Sequence, residues 1–427
     1  MMEQNQIFAK CAWRLVPFMA FVYLLNRIDR VNVGFAALTM NKDLSFSPAI
    51  FGAGAGMFFI GYFFFQVPSG VILSRVGARR WVFCMMVVWG AISAGNAFVQ
   101  GPVSFYILRF FLGAAEAGFT PGMIYYLSIW FPQAYRVRFT ATFMVAIPLA
   151  FIIGAPLSSL ILGMDGVAGF HGWQWLFLIE GLPAFLLAFA ALIVLPDGPA
   201  RAPWLTPKEK EIIAARLAED SAEHDDVWRA LRDPRVIALG LVLLGVATAD
   251  YGVGLWLPQI VRGMGFSNFA TGFVVAVPYV ASMVVMFLWG RSSDAKGERF
   301  GHVALPALLA ASGLAVAAVA HNDLIVFVAL TFAVIGILSA LPPLNILPSS
   351  FLRGPAVAGG VALFNSIGGL GGFFGPTVVG LIKEQTGGYE AGMATLAVGL
   401  VLSATIVLVI GRVMRKPQTI SAARAPR

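Results

Sequence analysis

The sequence predicts an all-α membrane protein of twelve transmembrane helices, arranged as two six-helix bundles related by pseudo-symmetry. Three observations carry the prediction. The 427 residues are 59% hydrophobic and 12% charged, whereas a soluble globular domain carries about 25% charge. The apolar residues gather in runs long enough to cross a bilayer. Lys and Arg fall on alternating loops with a strong bias to one side, and a loop pattern of the first half recurs in the second.

The spans are expected at 13–38, 48–73, 81–99, 103–128, 139–163, 173–195, 236–261, 269–290, 303–320, 323–347, 355–383 and 390–413. The N-terminus, MMEQNQIFAK, lacks the charged start, short apolar core and small-residue cleavage site of a signal peptide, so the first span is expected to be retained. Gly (46) and Pro (24) are abundant. Both are tolerated in membrane helices, and small residues let helices approach closely. Residues 1–195 then form an N-terminal bundle, 236–413 a C-terminal bundle and 414–427 a tail.

Between the bundles, 196–235 is the one long polar segment, with nine of the 21 acidic residues. Within it WLTPKEKEIIAARLAED reads as a short amphipathic helix. Thr206 caps it, Pro207 fits its first position, Glu209 completes a capping box, and Ile212, Ile213 and Leu217 form its apolar stripe. It is either a tether on the cytoplasmic face or a regulatory, partner-binding helix.

Of the 29 Lys and Arg residues, 23 lie on the side shared by the N-terminus, the even-to-odd loops and the tail. Three (Lys42, Arg262, Lys383) lie on the other side, and Arg27, Arg30 and Arg109 lie inside spans. This split places both termini in the cytoplasm of a multi-pass protein of the cell (inner) membrane. It also accounts for the net charge of +8 without nucleic acid, because no basic patch is interleaved with stacking aromatics. The two isolated cysteines, Cys11 and Cys84, form no disulfide framework. His171, His224, His302 and His321 fall in loops or at span ends and are not spaced as metal ligands. There is no phosphate-binding Gly-x4-Gly-Lys-Ser/Thr loop and no Ser/His/Asp set at membrane depth. No cofactor, no metal and no enzymatic activity are expected.

The internal repeat follows spans two and eight. Gly70, Ser74, Gly77 and Arg79 stand against Gly290, Asp294, Gly297 and Arg299 at an offset of 220. Repeats of this kind mark transporters that rock one half against the other.

Charges inside the spans need a separate explanation. NRIDRVNVGFAAL (26–38) places Arg27, Asp29 and Arg30 within an apolar window, where each charge costs about 2.5–3.5 kcal/mol on insertion scales. In span four, Arg109 and Glu116 are two turns apart, about 10.5 Å of rise, and share a face with Gly113. Asp29 and Asn32 share a face of span one, with Arg30 about 100° round from Asp29. Two acids against three arginines leave one net positive charge, an electrostatic seat for an anion whose carboxylate Arg can hold with two parallel hydrogen bonds. The competing reading is structural ion pairing, but ionisable residues in a bilayer are functional by default. Tyr62 and Gln66, four apart in span two, either contact substrate or bond neighbouring helices. Asp250, beside Tyr251 in span seven, suits a substrate hydroxyl or cation, or a partner across the cavity. Glu180 of span six either functions or makes a structural hydrogen bond near Trp173 and Trp175. Of Asn345 and Asn365, Asn365 is the better substrate candidate.

Six plus six spans, cytoplasmic termini, the middle loop and the repeated loop resemble the major facilitator superfamily. The first loop is similar to that superfamily's G-x8-G-x3-D-R-x-G-R-R/K signature. Gly61, Gly70, Arg75, Gly77 and Arg79 match, while Ser74 replaces the Asp and Ala78 an Arg. The missing acid weakens the salt-bridge latch that the resemblance implies for Arg75 and Arg79; Asp294 is present in the second copy. IDRVNVGFAAL (28–38), FFIGYFFFQVPSG (58–70), RFFLGAAEAGFTPG (109–122), WQWLFLIEGLPA (173–184) and NSIGGLGGFFGP (365–376) look like the anion:cation symporter family. Within it the chain is most similar to the bacterial branch for tartrate, phthalate and hydroxyphenylacetate-like acids. Where that family often has a second Asn, this chain has Gly369.

The resemblance implies uptake of an organic carboxylate with protons, with Asp29 and Glu116 as proton sites and Arg30 and Arg109 in substrate binding or coupling. Burial favours the neutral form of a carboxyl and a neighbouring Arg the charged form. Protonation of Asp29 and Glu116 would free Arg30 and Arg109 for the anion, and the neutralised site would let the halves rock. The expected partners are a small organic anion, protons and lipid, with no nucleic acid and a monomeric chain. An exporter or exchanger of drugs or organic acids on the same fold is the alternative. A membrane sensor is more distant, since it would need a signalling domain.

Overall fold

The computed structural model describes residues 2–219, 231–352 and 355–415. The first half contains α1 (Met2–Asp43), α2 (Pro48–Val76), α3 (Ala78–Gly95), α4 (Pro102–Glu116), α5 (Phe119–Ser128), α6 (Gln133–Leu162) and α7 (Gly172–Val194). After the linker helix α8 (Pro207–Glu219), the second half contains α9 (Pro234–Gly263), α10 (Asn268–Lys296), α11 (Phe300–Val319) and α12 (Asp323–Ile346). It ends with α13 (Pro355–Gly369), α14 (Gly371–Thr386) and α15 (Glu390–Arg415). The described residues form helices and loops, and eleven helical segments among them are long and apolar enough to cross a bilayer.

The span expected at 103–128 is present as two pieces, α4 of 15 residues and α5 of 10, joined at Ala117–Gly118. The break lies where α2 and α3 crowd the chain: a Cβ at Gly118 would be 2.7 Å from both Ser69 Cβ and the Trp81 ring. The span expected at 355–383 also divides, between α13 and α14 at Leu370. Gly369 and Gly371 flank that point, and glycine is a weak helix former. Residues 220–230 of the linker and 416–427 of the tail lie outside the described residues.

The linker helix starts with the expected capping box. Thr206 N–H donates to Glu209 Oε2 at 2.7 Å and Glu209 N–H to Thr206 Oγ1 at 3.3 Å. Lys10 Nζ meets the same Glu209 at 2.8 Å, tying α8 to α1. That ammonium holds the Glu209 carboxyl below the usual carboxylate range. Trp204 stacks on Trp130 at 5.4 Å, with the Arg14 guanidinium 5.1 Å from the Trp204 ring.

The two halves repeat one packing scheme. In the first, α1 packs on α6 and α7, α2 on α4, and α3 on α7. In the second, α9 packs on α13, α14 and α15, α10 on α12, and α11 on α15. The halves meet along α1–α9, α2–α14 and α6–α10, pairs that the same two-fold relation exchanges or preserves. Their backbones approach closely at the end where α2 begins. A Cβ on Gly52 would be 2.4 Å from Pro376 O, and one on Gly380 2.5 Å from Pro48 O. Glu384 of α14 caps the start of α2 from across the interface, accepting from Ser47 Oγ at 2.7 Å and Ala49 N–H at 2.9 Å. Phe151 and Tyr279 stack across α6 and α10 at 3.8 Å, nearly parallel at 2°.

The apolar core reflects this. One cluster joins the second half to the Met40, Phe46, Leu162 and Trp173 end of the first. A separate cluster, with Phe8, Trp89, Trp130 and Ile213, fills the opposite end of the first half. The halves are thus fused through apolar packing at one end and keep separate cores toward the other.

Candidate functional site

α1 runs unbroken past its neighbours, so consecutive residues of NRIDRVN leave it about 100° apart and reach different helices. Asn26 and Arg30, one turn apart, both reach Glu116 of α4. Asn26 Nδ2 and Arg30 Nε each donate to Glu116 Oε2 at 2.7 Å. Asp29 points instead at α3, where it accepts from Trp89 Nε1 at 2.6 Å and from Ser93 Oγ, and from Asn32 Nδ2 at 3.1 Å. Arg27 takes a third direction. Its Nη2 donates to Tyr23 Oη at 2.5 Å and its Nη1 to Tyr251 Oη of the second half at 3.4 Å. All of Asn26, Asp29, Arg30, Asn32, Arg109 and Glu116 are buried.

Arg109 lies one layer behind. Its guanidinium and that of Arg30 share the Phe58 ring, at 5.0 and 5.2 Å from the centroid, and Arg30 is also 4.8 Å from Tyr62. Aromatic faces attract desolvated cations by up to about 2 kcal/mol, so Phe58 and Tyr62 stabilise two guanidiniums that would otherwise repel. Arg109 lies in the field of Asp29 and Glu116. Its Nε and Nη1 are buried with no hydrogen-bond partner among the described residues, as are Arg30 Nη2 and Glu116 Oε1. Charged donors are therefore held in place without being saturated.

A small cavity of about 20 Å³ lies between the halves, lined by Arg27, Arg30, Phe151, Asp250, Tyr251 and Gly254 among others. Asp250 sits in the field of Arg27. Arg109, Asp29 and Glu116 are not on its wall. Of the two arginines expected to bind substrate, the structure brings Arg30 to the cavity wall and keeps Arg109 off it, against the Phe58 ring. Arg27, which the sequence left without a role, lines the cavity beside Arg30.

A further carboxyl joins the cluster. Glu180 of α7 accepts from Ser158 Oγ at 2.7 Å and lies in the field of Asp29, next to Asn32. The sequence tally of two acids against three arginines is therefore incomplete. Four carboxyls (Asp29, Glu116, Glu180, Asp250) surround three guanidiniums (Arg27, Arg30, Arg109). If all were ionised the cluster would be net negative.

The remaining candidates are more dispersed. Gln66 accepts from Ser366 Oγ of α13 at 3.3 Å, a bond between the halves. Asn365 is not in the cluster: it is exposed, and its amide donates to Val361 O of its own helix at 2.9 Å. Asn345 likewise bonds Leu341 O. In the first loop Gly70 has open space around it and Arg75 is exposed. Gly77 takes φ +86°, a conformation glycine adopts without a steric penalty, and ends α2. Arg79 donates to Leu192 O and lies 3.9 Å from Asp197 at the end of α7. Asp197, in the segment that follows α7, pairs more closely with Arg201, at 3.0 Å. In the second copy Asp294 pairs with Arg299 at 2.7 Å.

Asn26, Trp89, Ser93 and Ser158 escaped the sequence reading. Asn26 carried a usable signal, its one-turn spacing from Arg30. The other three are ordinary residues of apolar helices, and only their meeting with Asp29 or Glu180 gives them significance.

Comparison with known proteins agrees with this architecture. The sequence profile of the Major Facilitator Superfamily matches residues 19–376. A protein of Agrobacterium vitis named "Putative tartrate transporter" is 48% identical over 414 residues, covering 96% of this chain and 92% of its own length. A quinolone resistance transporter of Acinetobacter baumannii is 38% identical over 428 residues, covering 98% of both. Among solved structures, a bacterial homologue of the human lysosomal transporter Spinster, inward-facing and unoccupied, superposes with a TM-score of 0.77 at 18% identity, over 93% of this chain and 96% of that one. That likeness is one of fold.

Proposed function

The chain belongs to the Major Facilitator Superfamily, and from that premise we propose that this multi-pass transport protein imports an organic carboxylate by proton symport. The carrying observation is the charge balance of the interior, four carboxyls against three guanidiniums. With every carboxyl ionised, an anion entering the cavity meets a net negative cluster in a medium of low dielectric, where charge interactions are strong. Each proton bound raises the cluster by one charge. Anion binding and proton binding then favour each other, a reciprocal coupling free energy. The relative named for tartrate transport supports a carboxylate as the anion.

The residues divide by position. Arg30 and Arg27 form the anion seat on the cavity wall, with Asp250 and Tyr251 facing it as partners for substrate hydroxyls. Tyr62 and Phe58 hold Arg30 in place. Asp29 and Glu116 are the proton sites, and Arg109 links them through its field. Protonation of Glu116 weakens its hold on Arg30, whose Nε is then free to turn to substrate. Gln66 and Ser366, with Asn365 nearby on α13, line the route between the halves. Gly70, Arg75, Gly77, Arg79 and Asp294 belong to the loops that change as the halves rock in alternating access.

With both termini in the cytoplasm, the apposed Ser47–Glu384 end faces outward. The test is uptake of labelled tartrate into proteoliposomes under an imposed pH gradient. Wild-type protein accumulates the anion when the lumen is alkaline. Asp29→Asn and Glu116→Gln abolish gradient-driven accumulation; full accumulation in both variants sinks the proton assignment. The relative named for quinolone resistance favours a second reading, export of drugs or organic acids. Under that reading a gradient of the opposite sign drives the flux.

A further inference from the structure

Glu180 is the buried carboxyl that the mechanism above leaves without a task. It projects from the middle of α7 and is 6% exposed. Its Oε1 accepts from Ser158 Oγ at 2.7 Å, and its Oε2 is buried with no hydrogen-bond partner among the described residues. Asn32 stands beside it, within hydrogen-bonding reach. Asn32 Nδ2 donates to Asp29 Oδ1 at 3.1 Å, and Asn32 Oδ1 is likewise buried without a partner.

An amide offers donors on one side and an acceptor on the other. Here it lies between two carboxyls. Asp29 receives donors from Trp89, Ser93 and Asn32, the environment of an ionised carboxylate. On the Glu180 side two buried acceptors, Glu180 Oε2 and Asn32 Oδ1, have no hydrogen to share. Buried polar groups are almost always paired, and a proton on Glu180 Oε2 gives this side the donor it lacks. The titratable group facing Glu180 is Asp29, from α1. From α6 it meets the Ser158 hydroxyl, and α3 brings the Ser93 hydroxyl against neighbouring Gly181.

We propose that Glu180 is a third proton-binding residue of the coupling machinery, linked to Asp29 through the amide of Asn32. The step moves only a proton, which enters from water onto Glu180 Oε2 and returns to water from the same atom. When Glu180 is ionised, the amide serves it best by turning its NH2 group toward it. Asp29 then faces the amide oxygen and is favoured as the protonated partner. One amide thus ties the proton occupancy of two carboxyls together. This inference rests on the symport reading above.

The experiment is steady-state accumulation of labelled tartrate in proteoliposomes, with the membrane potential clamped at zero and a gradient of about one pH unit. Each coupled proton multiplies accumulation about tenfold per pH unit. Glu180→Gln, which keeps shape and supplies an NH2 donor to Asn32, should accumulate about tenfold less than wild type. Glu180→Asp, which restores a carboxyl, should recover part of the loss. The infrared band of a protonated carboxyl at neutral pH should weaken in Glu180→Gln. Accumulation by Glu180→Gln equal to wild type overturns the inference. Should that variant fail to assemble, the proton-to-anion flux ratio of wild type decides, and a ratio no greater than two overturns it. A wild type indifferent to the gradient instead refutes the symport reading itself.

Discussion

Gly52→Ala tests whether the α2–α14 contact is a gate or part of the fold. The added Cβ would lie 2.4 Å from Pro376 O and 3.2 Å from Gly380 Cα, against an optimal separation of about 3.5–4.0 Å. Both obstacles are backbone, so no side-chain rotation relieves them. Overpacking of this kind costs about 1–3 kcal/mol. All of it falls between the halves, since Gly52 is on α2 and Pro376 on α14. Separation of the two helices at this end removes the strain. The equilibrium between apposed and separated ends should therefore shift about 5- to 150-fold toward separation, at about 1.4 kcal/mol per tenfold. The assay is the distance distribution between spin labels at Lys42 and Gln385, two exposed helix-end positions, in nanodiscs with Cys11→Ala and Cys84→Ser in the background. Gly61→Ala is the contrast. Its Cβ would be 2.0 Å from Phe110 O, inside the first half, so it should lower thermal stability without altering the label distance. If Gly52→Ala behaves like Gly61→Ala, losing stability with an unchanged distance, the contact is not a gate.

Other expectations follow from the same geometry. Glu384→Ala removes both inter-half bonds to Ser47 and Ala49 and should shift the Lys42–Gln385 distance in the same direction but less, since water competes for exposed hydrogen bonds. Glu116→Ala leaves Arg30 buried without its carboxylate; the loss should be about 3–5 kcal/mol in chemical unfolding, and a loss below about 1 kcal/mol would contradict the pairing. Trp89→Phe removes the 2.6 Å donor to Asp29 and should cost about 1.5–3 kcal/mol, with initial uptake rates falling in the vesicle assay. The Lys10–Glu209 tie depends on pH in a defined direction. Because Glu209 is held below the usual carboxylate range, its contribution is complete above the ordinary Glu value of about 4.3 and is lost as pH falls through the lower folded value. Trypsin cleavage near Trp204–Lys210 should therefore be slow at neutral pH in wild type and faster in Lys10→Met; equal rates would dissociate α8 docking from this pair.

Much of the site was legible from spacing along single helices. Asn26, Asp29, Arg30 and Asn32 lie on one helix, whose period sorts them into an Asn26/Arg30 face and an Asp29/Asn32 face before any partner is known. The same holds for Arg109, Gly113 and Glu116 on α4. What spacing could not supply is the neighbour each face meets. Trp89 and Ser93 look like packing residues until they are found on Asp29. Arg109 looks equivalent to Arg30 until the cavity wall is found to include Arg30 and not Arg109.

The sequence by itself determined the solvent and the pseudo-two-fold plan, because hydropathy and charge act locally: a run of apolar residues needs lipid wherever the rest of the chain goes. It also placed ionisable residues inside the membrane spans, at Arg27, Asp29, Arg30, Arg109 and Glu116. Only the tertiary structure decided the sum of that charge, since Glu180 from α7 and Asp250 from α9 join the α1 cluster through contacts more than a hundred residues apart in the chain. Electrostatic energy depends on distance in space, and in a low-dielectric interior two further carboxyls reverse the sign of the site. The surplus of positive charge read from α1 and α4 alone becomes a deficit, and on that deficit rests the proposal that anion binding is coupled to protons.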